Sequence, residues 1–108
     1  MATFEQREKA TEMGFAQERE LMFRIAAHRN RLLARWAAVK MGLPAEHADG
    51  YAAAFASAEI AEHDVDVVVA RLRDDFLSQG VVVAVAEIHG HLENFAKIAL
   101  KEVFSDPS

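Results

Sequence analysis

No cysteine occurs in the 108 residues, so neither a disulfide framework nor thiolate chemistry is available to this chain. Apolar runs are short. A stretch such as Val81–Ala86 reaches about a third of the roughly 20 residues needed to cross a bilayer, so no membrane insertion is expected. Nothing near Met1 resembles a charged start, an apolar middle and a small-residue cleavage site, and a cytoplasmic location is expected. Glycine is sparse: positions 14, 42, 50, 80 and 90 never approach the spacing of a phosphate loop or a dinucleotide fingerprint. The four serines have no histidine at a helical neighbour spacing, and no catalytic triad is visible. Five histidines are present, but none is three or four residues from another, the spacing at which a helix could offer two ligands to one metal. No metal, no cofactor, no catalytic residue and no enzymatic activity are expected. The chain is acidic overall and lacks the aromatic interleaving that stacks bases, which argues against nucleic acid as a partner.

What remains has the balance of a globular domain, with 52% apolar and 27% charged residues in a length that suits one modest core. The net charge of -5 is unevenly placed. Residues 1–41 hold eight basic groups against five acids, whereas residues 42–108 hold four against twelve. Between Leu21 and Gly42 lie Arg24, Arg29, Arg31, Arg35 and Lys40 with no acid among them. Two readings stay open for these five cations: a solvated helix face balanced by the acidic half, or a patch for a nucleotide, another phosphate or an acidic protein surface. The paired carboxylates Asp74 and Asp75 read as a solvated face.

The two prolines and most glycines fall at helix ends, and the pattern is all-α: a small four-helix bundle with a long first helix whose amino-terminal arm projects or is disordered. Thr3 with Gln6 forms a capping box, and helical composition then runs to about Met41, where Gly42, Leu43 and Pro44 stop it. Gly14 is the weak point inside, at roughly 1 kcal/mol relative to alanine, and is expected to divide a mobile arm, residues 1–19, from a bundle domain, residues 20–108. At about 100° per residue, Leu21, Ile25, His28, Leu32, Trp36 and Val39 share a face, and Phe4, Phe15 and Met22 point elsewhere. His28 is thereby expected to be a hydrogen-bonded or half-exposed core histidine. A second helix is expected from Pro44 or Ala45 to about Ala61, burying Ala48, Tyr51, Phe55 and Ala58. In the third segment Val65, Val67 and Val69 alternate as a strand would, while Val65, Val68, Leu72 and Phe76 repeat as a helix would. Length favours the helix, with Asp64 as N-cap and Gly80 as terminator. The last helix, ending near Phe104, buries Val85, Ile88, Leu92, Phe95, Ala99 and Val103.

The segment from Thr3 to Glu20 is rich in good helix formers yet offers little to bury beyond Phe4, Met13 and Phe15. Phe4 with Arg7, Glu8, Lys9 and Ala10, then Phe15 and Ala16, then Glu20, Leu21 and Phe23, then Arg29, Asn30, Arg31, Leu32, Leu33 and Trp36 together resemble the amino-terminal half of the zeta subunit family. These are the small α-proteobacterial inhibitors of the F-type ATP synthase. A looser likeness continues through Tyr51, Ala52, Gly80 and Val81 and covers nearly the whole chain. Members of that family look like four-helix bundles. The resemblance implies that the arm inserts as a helix at a catalytic interface of the ATPase head and inhibits ATP hydrolysis. It makes Phe4 and Phe15 the apolar anchors and Arg7, Glu8, Lys9 and Glu12 the polar contacts, in a protein that is monomeric when free and peripheral to the inner membrane through the synthase. Gly14, and Ala84 where a serine-like cap would start the last helix, depart from the family's pattern.

Overall fold

The structure is a computed structural model that describes the backbone over residues 4–61 and 63–105 and the side chains over 16–57, 60–61 and 63–105. Thr3 and the side chain of Gln6, assigned to a capping box, lie outside the described residues. Every described element is helical: α1 Phe4–Met41, α2 Ala45–Phe55, α3 Ala58–Ala61, α4 Val65–Ser78 and α5 Val85–Ser105. The chain is thus an all-α bundle of four main helices, with α3 an added single turn.

The backbone of α1 is helical straight through Gly14, so the glycine does not break it. At 38 residues the helix is about 57 Å long, whereas α5, with 21 residues, covers only about 32 Å. The bundle cannot flank the whole of α1. This explains a radius of gyration of 17.2 Å where a chain of this length folded compactly would give about 13 Å.

Two of the helix ends are set by glycine. Gly42 has φ 75° and Gly80 has φ 73°, a left-handed conformation that a side chain disfavours. In each case the turn closes with the same pair of bonds. Gly42 N–H donates to the Val39 carbonyl and Leu43 N–H to the Ala38 carbonyl, both at 3.0 Å, while Gly80 and Val81 repeat the arrangement onto Leu77 and Phe76. These bonds satisfy carbonyls that the helix end would otherwise orphan.

The core consists of Leu33, Ala34 and Ala37 on α1, Ala52 and Phe55 on α2, Ile60 on α3, Val68, Val69, Leu72 and Phe76 on α4, Val83 in the loop, and Ile88 and Leu92 on α5. It settles the third segment as a helix, since Val68, Leu72 and Phe76 are all fully enclosed while Val67 is exposed. The α5 stripe holds from Ile88 onward, with Ile88, Leu92 and Ala99 buried and Phe95 and Val103 half-buried, but Val85, foreseen as part of it, is 39% exposed at the first residue of the helix, before the bundle encloses it.

Three expectations need correction. The stripe foreseen for α1 is not its most buried face: Val39 is 79% exposed, and Leu21, Ile25, His28, Leu32 and Trp36 are only half-buried, whereas Asn30, Leu33, Ala34, Ala37 and Ala38 are fully enclosed. Helix α1 lies along both α2 and α5, and alanine is the residue that lets two helix backbones come close, so the innermost face is the least bulky one. The second helix ends at Phe55 rather than Ala61, because Ser57 turns the chain: its hydroxyl donates to the Ala54 carbonyl at 2.7 Å, and its own carbonyl accepts from Ile60 and Ala61 to start α3. Asp64 does occupy the N-cap position of α4, but its side chain makes no capping hydrogen bond. Ala84 starts α5 through its carbonyl alone, accepting from Glu87 and Ile88.

The Tyr51 hydroxyl donates to Asp75 Oδ2 at 2.7 Å and so ties α2 to α4. Burial, then that bond and the charge of Asp75, hold the phenol's pKa well above its ordinary 10.0.

Two outcomes follow from these local arrangements. Gly80→Ala has open space for its methyl group, so its cost is that of the left-handed backbone, about 1–2 kcal/mol, read as a lower urea midpoint with an unchanged slope. Tyr51 is the chain's one tyrosine, and above about pH 10 the unfolded chain loses the phenolic proton while the folded chain keeps it. Stability that is complete below that pH therefore falls as pH rises. The advantage of the wild type over Tyr51→Phe in thermal midpoint should shrink between about pH 9 and pH 11.

Candidate functional site

Basic residues along α1 fall into two groups. Arg24, His28, Arg31 and Arg35 are spaced i, i+4, i+7 and i+11 and so occupy one side of the helix. The three arginines of this row are exposed and His28 is half-buried. His28 Nε2 meets Glu102 Oε2 of α5, which bears out the hydrogen-bonded, half-exposed histidine. Arg29 and Lys40 lie elsewhere. Arg29 Nε donates to Asn30 Oδ1 at 3.1 Å, and burial lowers its pKa. Lys40 Nζ donates to Glu87 Oε1 at 3.3 Å and stands 5.6 Å from the centre of the Trp36 ring. The five cations therefore do not converge on one point.

Trp36 joins three helices. Its ring is T-shaped on Phe76 of α4, with centroids 5.6 Å apart, and stacks on His91 of α5 at 4.1 Å. His91 in turn lies over Phe95. The two histidines of α5 that stand two residues apart go separate ways: His91 faces the aromatic row, while His89 Nε2 lies 3.4 Å from Asp66 Oδ1 at the start of α4. Among the described residues no group of three or more histidine, cysteine, aspartate or glutamate side chains could hold a metal.

Asn30 was not foreseen in the core. It is wholly buried, and its Nδ2 has no hydrogen-bond partner among the described residues. Leaving a donor so placed costs on the order of 1–3 kcal/mol. Alternation of polar and apolar residues could not reveal it, since Arg29 and Arg31 on either side are polar as well.

Two grooves flank the stretch where α1 leaves the bundle, with Phe23 in the wall of both. The first, of about 490 Å³, is lined by Arg24, His28 and Arg31 of α1, the end of α2 at Ala56, and Glu102 and Val103 of α5. Its charge is mixed, because the Glu102 carboxylate faces the same space as the two guanidinium groups. The second, of about 610 Å³, is mainly apolar and is bounded by α1 from Ala16 to Ala26 and by Ala61. Further toward the amino terminus, the side chains of Phe4, Arg7, Glu8, Lys9, Glu12 and Phe15 lie outside the described residues. None of the described helices is long and apolar enough to cross a membrane.

No curated protein and no solved structure matches the chain. The family pattern of ATPase inhibitor subunit zeta, by contrast, matches residues 1–102. That span takes in α1 to α4 and most of α5, so the bundle and the segment preceding it are matched as one unit. The chain belongs to the ATPase inhibitor subunit zeta family.

Proposed function

We propose that this protein is a regulatory, non-catalytic subunit that binds the catalytic head of the F-type ATP synthase and inhibits ATP hydrolysis by inserting its amino-terminal arm, residues 1–19, at a catalytic interface. Family membership supports the partner and the direction of the effect. The observation that carries the mode of action is the mismatch in length between α1 and the helices beside it: the bundle can flank only part of a 38-residue helix. Among the described side chains of α1 the first fully buried one is Asn30, and the described part of the arm, Ala16 to Arg19, is exposed.

In this reading Phe4 and Phe15 are the apolar anchors, and Arg7, Glu8, Lys9 and Glu12 make polar contacts around them. A helix inserted beside a rotating shaft acts by preferring one rotational state. It then opposes hydrolytic rotation and is displaced in the synthetic direction, because only a difference in affinity between states shifts their balance. The protein works on the cytoplasmic side as a peripheral member of the synthase and is a monomer when free.

A second reading rests on the first groove, where Arg24 and Arg31 stand with His28 around about 490 Å³. Such a space suits a nucleotide or another phosphate, with Arg29, Arg35 and Lys40 as more distant cations. The Glu102 carboxylate within the groove opposes an anion and makes this the weaker reading.

The two are separated by different residues. Removal of residues 1–19 should leave the unfolding midpoint of the bundle in place, with helical circular dichroism lowered only by the turns deleted, while abolishing inhibition of ATP hydrolysis by the cognate enzyme. Equal inhibition by the shortened chain would refute the insertion mechanism. Titration of ATP into labelled protein should move the amide resonances of residues 24–40 under the second reading. Absence of a saturable change removes it.

A further inference from the structure

Among the described residues, no side chain fills the apolar groove at the foot of the arm. One wall is α1, with Ala16, the half-buried Phe23 and Ala26, and Met22, which is 64% exposed. Across it stands Ala61, at the end of the one-turn helix α3. Arg19 and Glu20 border it with one charge of each sign. An apolar floor with a polar rim is the make-up of a protein contact.

We infer that this groove is a second docking surface for the ATPase head, receiving an apolar side-chain ridge from a helix beside the cleft into which the arm inserts. The inference rests on the insertion reading and extends it from the arm onto the bundle.

Continuity of the helix argues for this occupant. Helix α1 runs unbroken from Phe4 to Met41, so whatever encloses the arm meets the groove next. Ala16 directly follows the proposed anchor Phe15, and Ala16 to Ala26 covers only about 15 Å of helix. By sequence spacing Phe15, Met22 and Ala26 stand at i, i+7 and i+11 and share one side of α1. By spacing alone, the apolar positions of the arm therefore continue onto the positions that carry Met22 and Ala26. The basic row Arg24, Arg31 and Arg35 lies at other positions of the helical wheel, and the balanced charges of Arg19 and Glu20 select neither an acidic nor a basic partner. An uncharged, apolar ridge is the complement. Met22 suits the task because its unbranched, polarizable side chain adapts to a partner's shape.

The test uses the full-length protein with Met22→Glu and Met22→Leu, neither of which disturbs a buried residue. The assay follows both inhibition of ATP hydrolysis and dissociation from the immobilised ATPase head. Met22→Glu should raise the half-inhibitory concentration and speed dissociation, each by about tenfold, whereas Met22→Leu should stay close to wild type. A Met22→Glu protein that inhibits and dissociates as the wild type does would overturn the groove and leave insertion of the arm standing. Loss of inhibition in both variants would show a need for methionine itself and would likewise contradict an adaptable apolar contact. A wild-type chain that neither binds nor inhibits would remove the insertion reading, and this one with it.

Discussion

Helix α1 can lie between α2 and α5 because Ala34, Ala37 and Ala38 present little more than backbone to their neighbours, and all three are completely enclosed. Helix axes usually stand 8–10 Å apart according to the side chains between them, and alanine belongs at the near end of that range. Bulk is supplied from the other helices, by Phe55 on α2, Leu72 and Phe76 on α4 and Ile88 on α5. Replacing any of the alanines by a larger residue would push a whole helix outward, since an interior packed this densely has no room for added methylenes.

Around this centre the connections become more polar and more directional. Trp36 lies at the border, half-buried, with one side on Phe76 and another on His91. Edge-to-face and stacked contacts of this kind add roughly 0.5–1.5 kcal/mol beyond the area they bury. The exposed ion pair of Lys40 with Glu87 adds little, about 0–1 kcal/mol. His28 with Glu102 and His89 with Asp66 bring basic rings of α1 and α5 against carboxylates of α5 and α4. The five basic groups between residues 21 and 42 are thus partly answered within the fold and partly left to solvent.

The front of α1 obeys different physics. Its composition favours a helix, but an isolated helix of this length is marginal without a surface to pack against. In this chain helical order begins at Phe4 and continues unbroken into a well-anchored body, so the costly nucleus is already formed by residues that belong to the core. A segment whose direction is already set loses less entropy on docking than a coil does, which offsets the flexibility that Gly14 introduces.

The main helical segments and the stripes of α4 and, from Ile88 on, of α5 were legible in the amino-acid order, because periodicity, Gly42 and Gly80 act locally. Of the stripe foreseen for α2, Phe55 is fully enclosed while Ala48 and Tyr51 are half-buried. The valine-rich segment was ambiguous only until its length and Gly80 terminator were considered. The innermost face of α1 was not legible: when a helix is buried on two sides, its large residues mark the flanks, and small alanines that look neutral in any hydropathy pattern mark the centre. Nor could Asn30 be placed, since a buried amide between two arginines reads as surface. The turn at Ser57 was hidden by alanines on both sides that would have continued the helix. The candidate grooves were beyond reach for the same reason, as each is formed by residues far apart in the chain, such as Arg24 with Glu102 or Ala26 with Ala61. By itself the sequence determined the main helical segments, the stops at Gly42 and Gly80 and the long first helix that outruns the rest, all consequences of local backbone preference. Which side of that helix is enclosed, and which stays open toward a partner, was decided only when three other helices took their places around it.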